Sequence, residues 1–170
     1  MAAARYLISS QTVGTGGASS VTFSSIPQTY TDLVLRSSVR NTGSSGLSFA
    51  IQFNGSTTNY SGRYLEGSGA AVSSGTIAST SFNQAGLMPI STYTTSTFGV
   101  NDFYIPNYTA SQNKSSSLDA TTENNATTSY LDLIASLWAD TTAISSMYIY
   151  APSGSFAQYS TFSLYGISKS

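Results

Sequence analysis

The stretch Leu47-Ser-Phe-Ala-Ile-Gln-Phe-Asn54 decides the fold class of this chain. Its apolar side chains fall at every second position, and Ser, Gln and Asn occupy most of the positions between them. A period of two residues indicates a β-strand that buries one face and wets the other. Asn54-Gly55-Ser56 follows as a predicted turn, because Asn and Gly accept positive φ at little cost. The inward side chains of this strand are Leu47, Phe49, Ile51 and Phe53.

Seven further segments have strand character. They are residues 5–12, 20–26, 32–40, 98–105, 130–138, 143–150 and 156–167. Segment 130–138 has some helical spacing, but its leucines and Ala135 also alternate as a strand requires, and we predict a strand. With eight predicted strands and no amphipathic helix, the sequence predicts one all-β domain spanning residues 1–170. An antiparallel β-sandwich of the eight-stranded jelly-roll type is the expected architecture.

Two predictions concern connections. Segment 32–40 is expected to pair with 47–54 through a hairpin loop at 41–46, with Leu33, Leu35 and Val39 inward and Arg36 and Arg40 outward. Segments 66–81 and 107–128 are rich in small and polar residues, so both are predicted to be long loops.

Composition limits the possible functions. Only 8% of residues are charged, the formal net charge is -1, and Ser and Thr together make up about a third of the chain. Nucleic-acid binding is not expected, because it needs a concentration of Lys and Arg. A membrane-spanning helix is not expected either, since no apolar run is long enough. Near-zero net charge removes self-repulsion, which favours a homotrimer or another closed homo-oligomer.

Catalytic chemistry has little support in the sequence. The chain contains no histidine and no cysteine, and Glu66 and Glu123 are its only glutamates. Histidine is the commonest general base and zinc ligand, and a glycosidase needs a pair of carboxylates. The protein is therefore predicted not to be an enzyme, with no catalytic residue, cofactor or metal site. The segment 119–125 offers oxygen ligands for calcium, but a solvated turn is the preferred interpretation.

Six side chains are candidate interface residues. Tyrosines beside turns offer broad contact area with one hydroxyl, and an arginine on an uncharged surface can contact a carboxylate. The candidates are Arg36, Arg40, Arg63, Tyr64, Tyr104 and Tyr108. The alternatives are packing at strand edges for the tyrosines and simple solvation for the arginines.

Five segments carry a resemblance to a known class of proteins. They are Phe23-Ser-Ser-Ile-Pro-Gln-Thr-Tyr-Thr-Asp-Leu-Val-Leu35, Asn59-Tyr-Ser-Gly-Arg-Tyr-Leu65, Asp102-Phe-Tyr-Ile-Pro-Asn-Tyr108, Leu137-Trp-Ala-Asp140 and Ser160-Thr-Phe-Ser-Leu-Tyr-Gly-Ile167. In texture and order they resemble small virion structural proteins of tailed bacteriophages, particularly phages of marine bacteria and cyanobacteria. The resemblance implies a β-sandwich on the particle exterior, commonly trimeric, assembled in the host cytoplasm.

Within that resemblance, two functions compete. The first is a capsid decoration (cement) protein that binds the major capsid protein on the outside of the head. The alternative is a receptor-binding module of a tail or head fibre that recognises host glycans. A free carbohydrate-binding module of a bacterial enzyme is a third hypothesis, weakened by the absence of a linker or partner domain in the sequence. Because the chain has no stalk-like repeat, the sequence favours decoration.

Overall fold

A computed structural model of the chain describes residues 4–123 and 129–168. Within these residues the chain forms twelve β-strands and no helix. They are β1 (Ala4–Thr12), β2 (Ser20–Phe23), β3 (Asp32–Val39), β4 (Ser48–Phe53), β5 (Tyr60–Ser68), β6 (Ala71–Thr80), β7 (Asn83–Leu87), β8 (Gly99–Ile105), β9 (Lys114–Thr121), β10 (Tyr130–Trp138), β11 (Met147–Tyr150) and β12 (Thr161–Ser168).

The strands form two antiparallel sheets that pack as a β-sandwich. The larger sheet has eight strands in the order β1-β12-β3-β8-β9-β10-β5-β6, and the smaller has four in the order β2-β11-β4-β7. The predicted all-β class and antiparallel sandwich are confirmed. The predicted count of eight strands is wrong, because four strands lie in segments of low hydrophobicity. The jelly-roll arrangement is not confirmed.

The core lies between the two sheets and follows from strand alternation. Trp138 of β10 packs against Phe53 of β4, with ring centroids 5.5 Å apart, and stacks on Tyr60 of β5 at 6.1 Å. Each aromatic pair of this kind contributes about 0.5–1.5 kcal/mol beyond the burial of its area. The predicted inward residues Leu33, Leu35, Val39, Phe49, Ile51 and Phe53 are all buried, and Leu47 is partly buried. The predicted turn is also present, since Asn54 and Gly55 have φ of 52° and 72°.

The expected hairpin between 32–40 and 47–54 is wrong. β3 pairs with β12 and β8 in the large sheet, whereas β4 pairs with β11 and β7 in the small sheet. The loop 41–46 therefore crosses from one layer to the other. Asn41 orders that crossing, because its Nδ2 donates to the carbonyl oxygens of Ser45 and Gly46 at 2.9 and 2.8 Å. Both strands have an apolar inward face, and alternation cannot say which sheet a strand joins.

Both predicted long loops contain strands. Segment 66–81 contains the end of β5 and all of β6, and segment 107–128 contains β9. β9 pairs with β10 and β6 pairs with β5, so backbone hydrogen bonding holds as strands two sequences that hydrophobicity alone would leave as loops. Residues 124–128 of the second segment lie outside the described residues.

β10 is a strand, as predicted, but its leucines do not face the core. Its buried side chains are those of Asp132, Ile134, Ser136 and Trp138, whereas Leu131 and Leu133 are exposed. The strand carries apolar residues on both faces, so its period did not reveal which face is inward. This orientation determines the character of the outer surface.

Candidate interaction surface

An apolar patch lies on the outer face of the large sheet, away from the sandwich core. We call it the outer patch and define it by five side chains. The exposed fractions of four of them are 76% for Val72, 51% for Leu131, 50% for Leu133 and 47% for Leu65, and Val100 is exposed as well. A group of exposed apolar residues on one face marks an interaction site more often than isolated ones do.

Strand register brings four of these side chains together from three strands, β10, β5 and β6, whereas Thr121 of β9 lies between Leu131 and Val100 of β8. Leu133 of β10 lies directly opposite Leu65 of β5. Leu131 lies opposite Gly67, and Gly67 lies opposite Val72 of β6, so only a glycine separates these two side chains. Directly opposed residues on one face of an antiparallel pair have Cβ atoms about 4.5–5.5 Å apart. The outer patch is thus continuous from β10 to the edge of the sheet at β6.

The sequence analysis missed the outer patch. A signal was present in β10, where apolar residues occupy both alternating sets of positions from Leu131 to Trp138. Such a strand exposes one set unless another layer covers it.

Arg36 lies on the same outer face, beside the patch. Its Nε and one terminal nitrogen both donate to Asp102 Oδ2, at 3.0 and 2.8 Å. The two side chains are 56% and 36% exposed, so water competes with the pair. Asp102 also faces Asp119 across the β8–β9 ladder, which places a second carboxylate near this arginine. Arg36 therefore already has an internal partner.

Arg40 was expected to lie beside Arg36 on the outer face of β3. That prediction is wrong, because the strand ends at Val39. Its guanidinium instead donates to carbonyl oxygens in the loop 90–97, including those of Thr94 at 2.8 Å and of Ile90 and Tyr93 at 3.1 Å. Partial burial lowers the pKa of Arg40 from its ordinary value. Its hydrogen bonds order a loop within the chain and leave little for a partner.

Arg63 and Tyr64 lie side by side on β5 but project to opposite faces. On the outer face, Arg63 donates to the hydroxyl of Thr76 on β6. On the inner face, Tyr64 lies directly opposite Gly75 of β6, and its ring occupies the space that a Cβ on that glycine would need. Both residues therefore hold β6 in place at the edge of the large sheet.

The last two candidate residues, Tyr104 and Tyr108, differ in burial. Tyr104 is partly exposed on the outer face, and its hydroxyl donates to Asp32 Oδ2 at 2.9 Å. Burial, with the Asp32 hydrogen bond as a second cause, raises the pKa of Tyr104. Tyr108 is fully buried, and its hydroxyl donates to the carbonyl of Pro27. Tyr108 is a core residue and offers no contact area to a partner, contrary to expectation.

An aromatic cluster lies on the outer face of the small sheet. Tyr148 and Tyr150 of β11 stack with ring centroids 5.2 Å apart, and Phe82 meets Tyr150 edge-on at 5.9 Å. Tyr148 is exposed, and Gln52 and Thr22 are its neighbours across the β4 and β2 ladders. Aromatic rings flanked by amide and hydroxyl groups make a surface that can stack and hydrogen-bond at once.

Two charged side chains are buried on the inner face of the large sheet. The ammonium of Lys114 donates to the carbonyl oxygens of Ala110 and Gln112 at 2.8 and 2.5 Å. Asp132 Oδ2 accepts a hydrogen bond from Gln84 Nε2 at 3.1 Å, whereas its Oδ1 has no partner. Burial, followed by repulsion from Glu66, raises the pKa of Asp132 to about 6. Polar residues at inward positions left no signal in the hydrophobic pattern.

The described ranges contain no group of three or more acidic side chains placed to hold a metal ion. Asp119, part of the weighed calcium segment, lies within β9 on its exposed face, so the turn preferred for that position is wrong. The asparagines at 124 and 125 fall outside the described residues. In the same described ranges, no helix is long and apolar enough to span a membrane.

Comparison of the chain with protein-family models, curated proteins and solved structures gives no match. Function is therefore inferred from the residues and geometry of this chain.

Proposed function

We propose that this protein is a structural protein on the exterior of a virus particle, where it decorates the head by binding the major capsid protein through its outer patch. The observation that carries the proposal is the continuous apolar surface from Leu133 and Leu65 to Val72. The resemblance to virion proteins of tailed bacteriophages supports the same role. A capsid presents the same surface many times, and a protein that binds by apolar contact and matching shape can occupy each copy of that surface.

The nature of the patch predicts how the protein is held on the particle. Leu65, Leu131 and Leu133 are uncharged. Two cations on the same face already have partners within the chain, since Arg63 donates to Thr76 and Arg36 is paired with Asp102. Salt at 1 M shortens the Debye length to roughly 3 Å, which weakens contacts between exposed charges but leaves buried apolar contacts largely intact. Attachment through the outer patch should therefore survive a wash in 1 M NaCl. The alternative, docking of Arg36 and Arg40 together onto capsid carboxylates, loses support because Arg40 is engaged within the chain.

The test is binding to particles that lack the protein. Purified wild-type protein, Leu133→Glu and the matched control Ser115→Glu, on the same outer face away from the patch, are each added to stripped particles. We expect Leu133→Glu to lose most binding and Ser115→Glu to keep it. Cryo-electron microscopy of decorated particles then counts and locates the copies. Equal binding of both variants, or copies confined to the tail, would contradict head decoration through this patch.

A second candidate function is glycan recognition by a fibre module, which the Tyr148–Tyr150–Phe82 cluster favours. Tyrosine rings stack on sugar faces, and Gln52 and Thr22 lie where they could bond to sugar hydroxyls. Binding to host-cell polysaccharide is measured for the wild type, for Tyr148→Ala and for Tyr159→Ala, an exposed tyrosine outside the cluster. Loss only in Tyr148→Ala would support this function, and no binding by the wild type would exclude it.

A further inference from the structure

The eight-stranded sheet ends in two edges that differ in how they are protected. Proteins blunt exposed edges with charges, prolines, bulges or short strands, because free backbone donors and acceptors recruit another strand. At one edge, β1 carries Arg5 and a bulge between Leu7 and Ser9. At the other edge, β6 has ten residues, none of them charged and none proline, and the one register shift in its ladder with β5 lies at the end of the strand, between Ile77 and Thr80. Among the described strands, only β5 pairs with β6.

The unprotected edge is also held in strand geometry. Gly75, at the middle of β6, would be a weak point because glycine has no side chain to pack. On the inner face the ring of Tyr64 covers Gly75, and on the outer face Arg63 donates a hydrogen bond to Thr76. Both contacts compensate for the missing side chain. An aromatic side chain placed across from a strand glycine stabilises the pair. β6 is therefore an ordered strand, and within residues 4–123 and 129–168 no strand pairs with its second row of backbone hydrogen-bonding groups.

We propose that β6 is an assembly strand, which pairs antiparallel with β6 of a second copy of this chain across a twofold axis near Ser74 and Gly75. In such a pair, a residue near the axis lies opposite the same residue of the second copy. A charged residue there would therefore be repelled by its counterpart. β6 carries no charge, and the chain's net charge is only -1. The twofold axis also places both outer patches on the same side of one continuous sheet.

This inference deepens the proposed function by naming a second copy as the partner, and it gives a dimer in place of the trimer that the resemblance implies. Its test needs no virus particle, so it can fail while capsid binding holds, and capsid binding can fail while it holds.

Sedimentation equilibrium of the purified protein, of Ser74→Lys and of Ser115→Lys tests the pairing. Both serines are exposed on the outer face of the same sheet, but Ser74 lies on β6 and Ser115 on the interior strand β9. In the proposed dimer, a lysine at 74 lies opposite position 74 or Thr76 of the second copy, depending on whether the axis passes Ser74 or Gly75. In the second case it also lies near Arg63 of that copy, which contacts the same Thr76. We expect the wild type and Ser115→Lys to be dimers, and Ser74→Lys to self-associate at least about tenfold more weakly.

Amide hydrogen exchange identifies the strand independently of any variant. In a monomer, every second amide of β6 points away from β5 into water, whereas pairing protects all of them. We expect those amides to exchange at least about tenfold more slowly at high than at low protein concentration. A wild type that stays monomeric, or an oligomer whose β6 amides exchange equally fast at both concentrations, would overturn the proposal.

Discussion

Lys114 and Asp132 are both charged residues on the inner face of the large sheet, but their surroundings differ. Lys114, which is 1% exposed, has its ammonium surrounded by loop carbonyl oxygens. Asp132, which is 3% exposed, has one hydrogen bond from Gln84, an unpartnered oxygen and Glu66 directly across the ladder. A buried charged group is tolerated when its hydrogen-bonding capacity is filled, and otherwise it tends to neutralise. The sheet thus contains one cation whose hydrogen bonds are satisfied and one carboxyl group whose pKa is raised to about 6.

The largest effect is expected from removing the satisfied cation. Lys114→Met leaves the carbonyl oxygens of Ala110 and Gln112 without their donor, and we expect a loss of about 4 kcal/mol in the free energy of unfolding. Urea denaturation measures it. Gln112→Ala is the control, because it keeps the backbone carbonyl and removes only an exposed side chain. A loss no larger than that of the control would show that water replaces the ammonium.

A pH-dependent stability should follow from Asp132. Its pKa is raised from 3.8 to about 6 in the folded protein, so protonation stabilises the fold. The stabilisation is complete below the unfolded value and is lost as pH rises through about 6, a change on the order of 3 kcal/mol. Asp132→Asn should flatten this part of the stability curve and make the protein more stable than the wild type at pH 8. An unchanged curve would assign the pH dependence to another group.

A smaller effect is expected from Glu66→Gln, which separates the two causes of the shift. Burial is the larger cause and repulsion from Glu66 the smaller. The substitution should therefore move the pKa of Asp132 only part of the way towards its ordinary value, with a gain of about 1 kcal/mol at pH 8. The midpoint of the stability curve against pH measures this. A midpoint that returns fully to the ordinary value would show that Glu66, and not burial, dominates.

The smallest effect is expected at the exposed pair, which is the solvent-accessible reference for the two buried charges. Arg36→Gln breaks the contact with Asp102, but both side chains are wet, and we expect a loss of about 0.5 kcal/mol. Thermal unfolding at low and at 1 M salt measures it, and the difference from the wild type should shrink in salt. A loss as large as that of Lys114→Met would mean that burial is not what separates these charges.

Strand prediction succeeded where one face of a strand is apolar and the other polar. Phe49, Ile51 and Phe53 of β4 and Leu33 and Leu35 of β3 belong to this kind. It failed at β5, β6, β7 and β9, and in β6 and β9 the hydrophobic residues are too few to create a period. There the strand state comes from pairing with β5, β8 and β10, and no local sequence window contains those partners.

The candidate surface residues show the same division. Composition pointed to arginine and tyrosine as interface candidates, but it could not distinguish Tyr104, which is partly exposed, from Tyr108, which is buried. Composition also could not show that the guanidinium of Arg40 donates its hydrogen bonds to carbonyl oxygens of the loop 90–97.

By itself, the sequence determined that the chain is all-β, that its core is built from alternating aromatic and aliphatic residues, and that few charges cover its surface. Those properties depend on residue type and on a period of two, which are local. Only the tertiary structure decided that β3 and β4 belong to different sheets, that Leu131 and Leu133 face outward, and that β6 is the last of the described strands in the large sheet. These outcomes depend on which strands pair and which face is covered by the second sheet, and both are set by contacts between residues far apart in the chain.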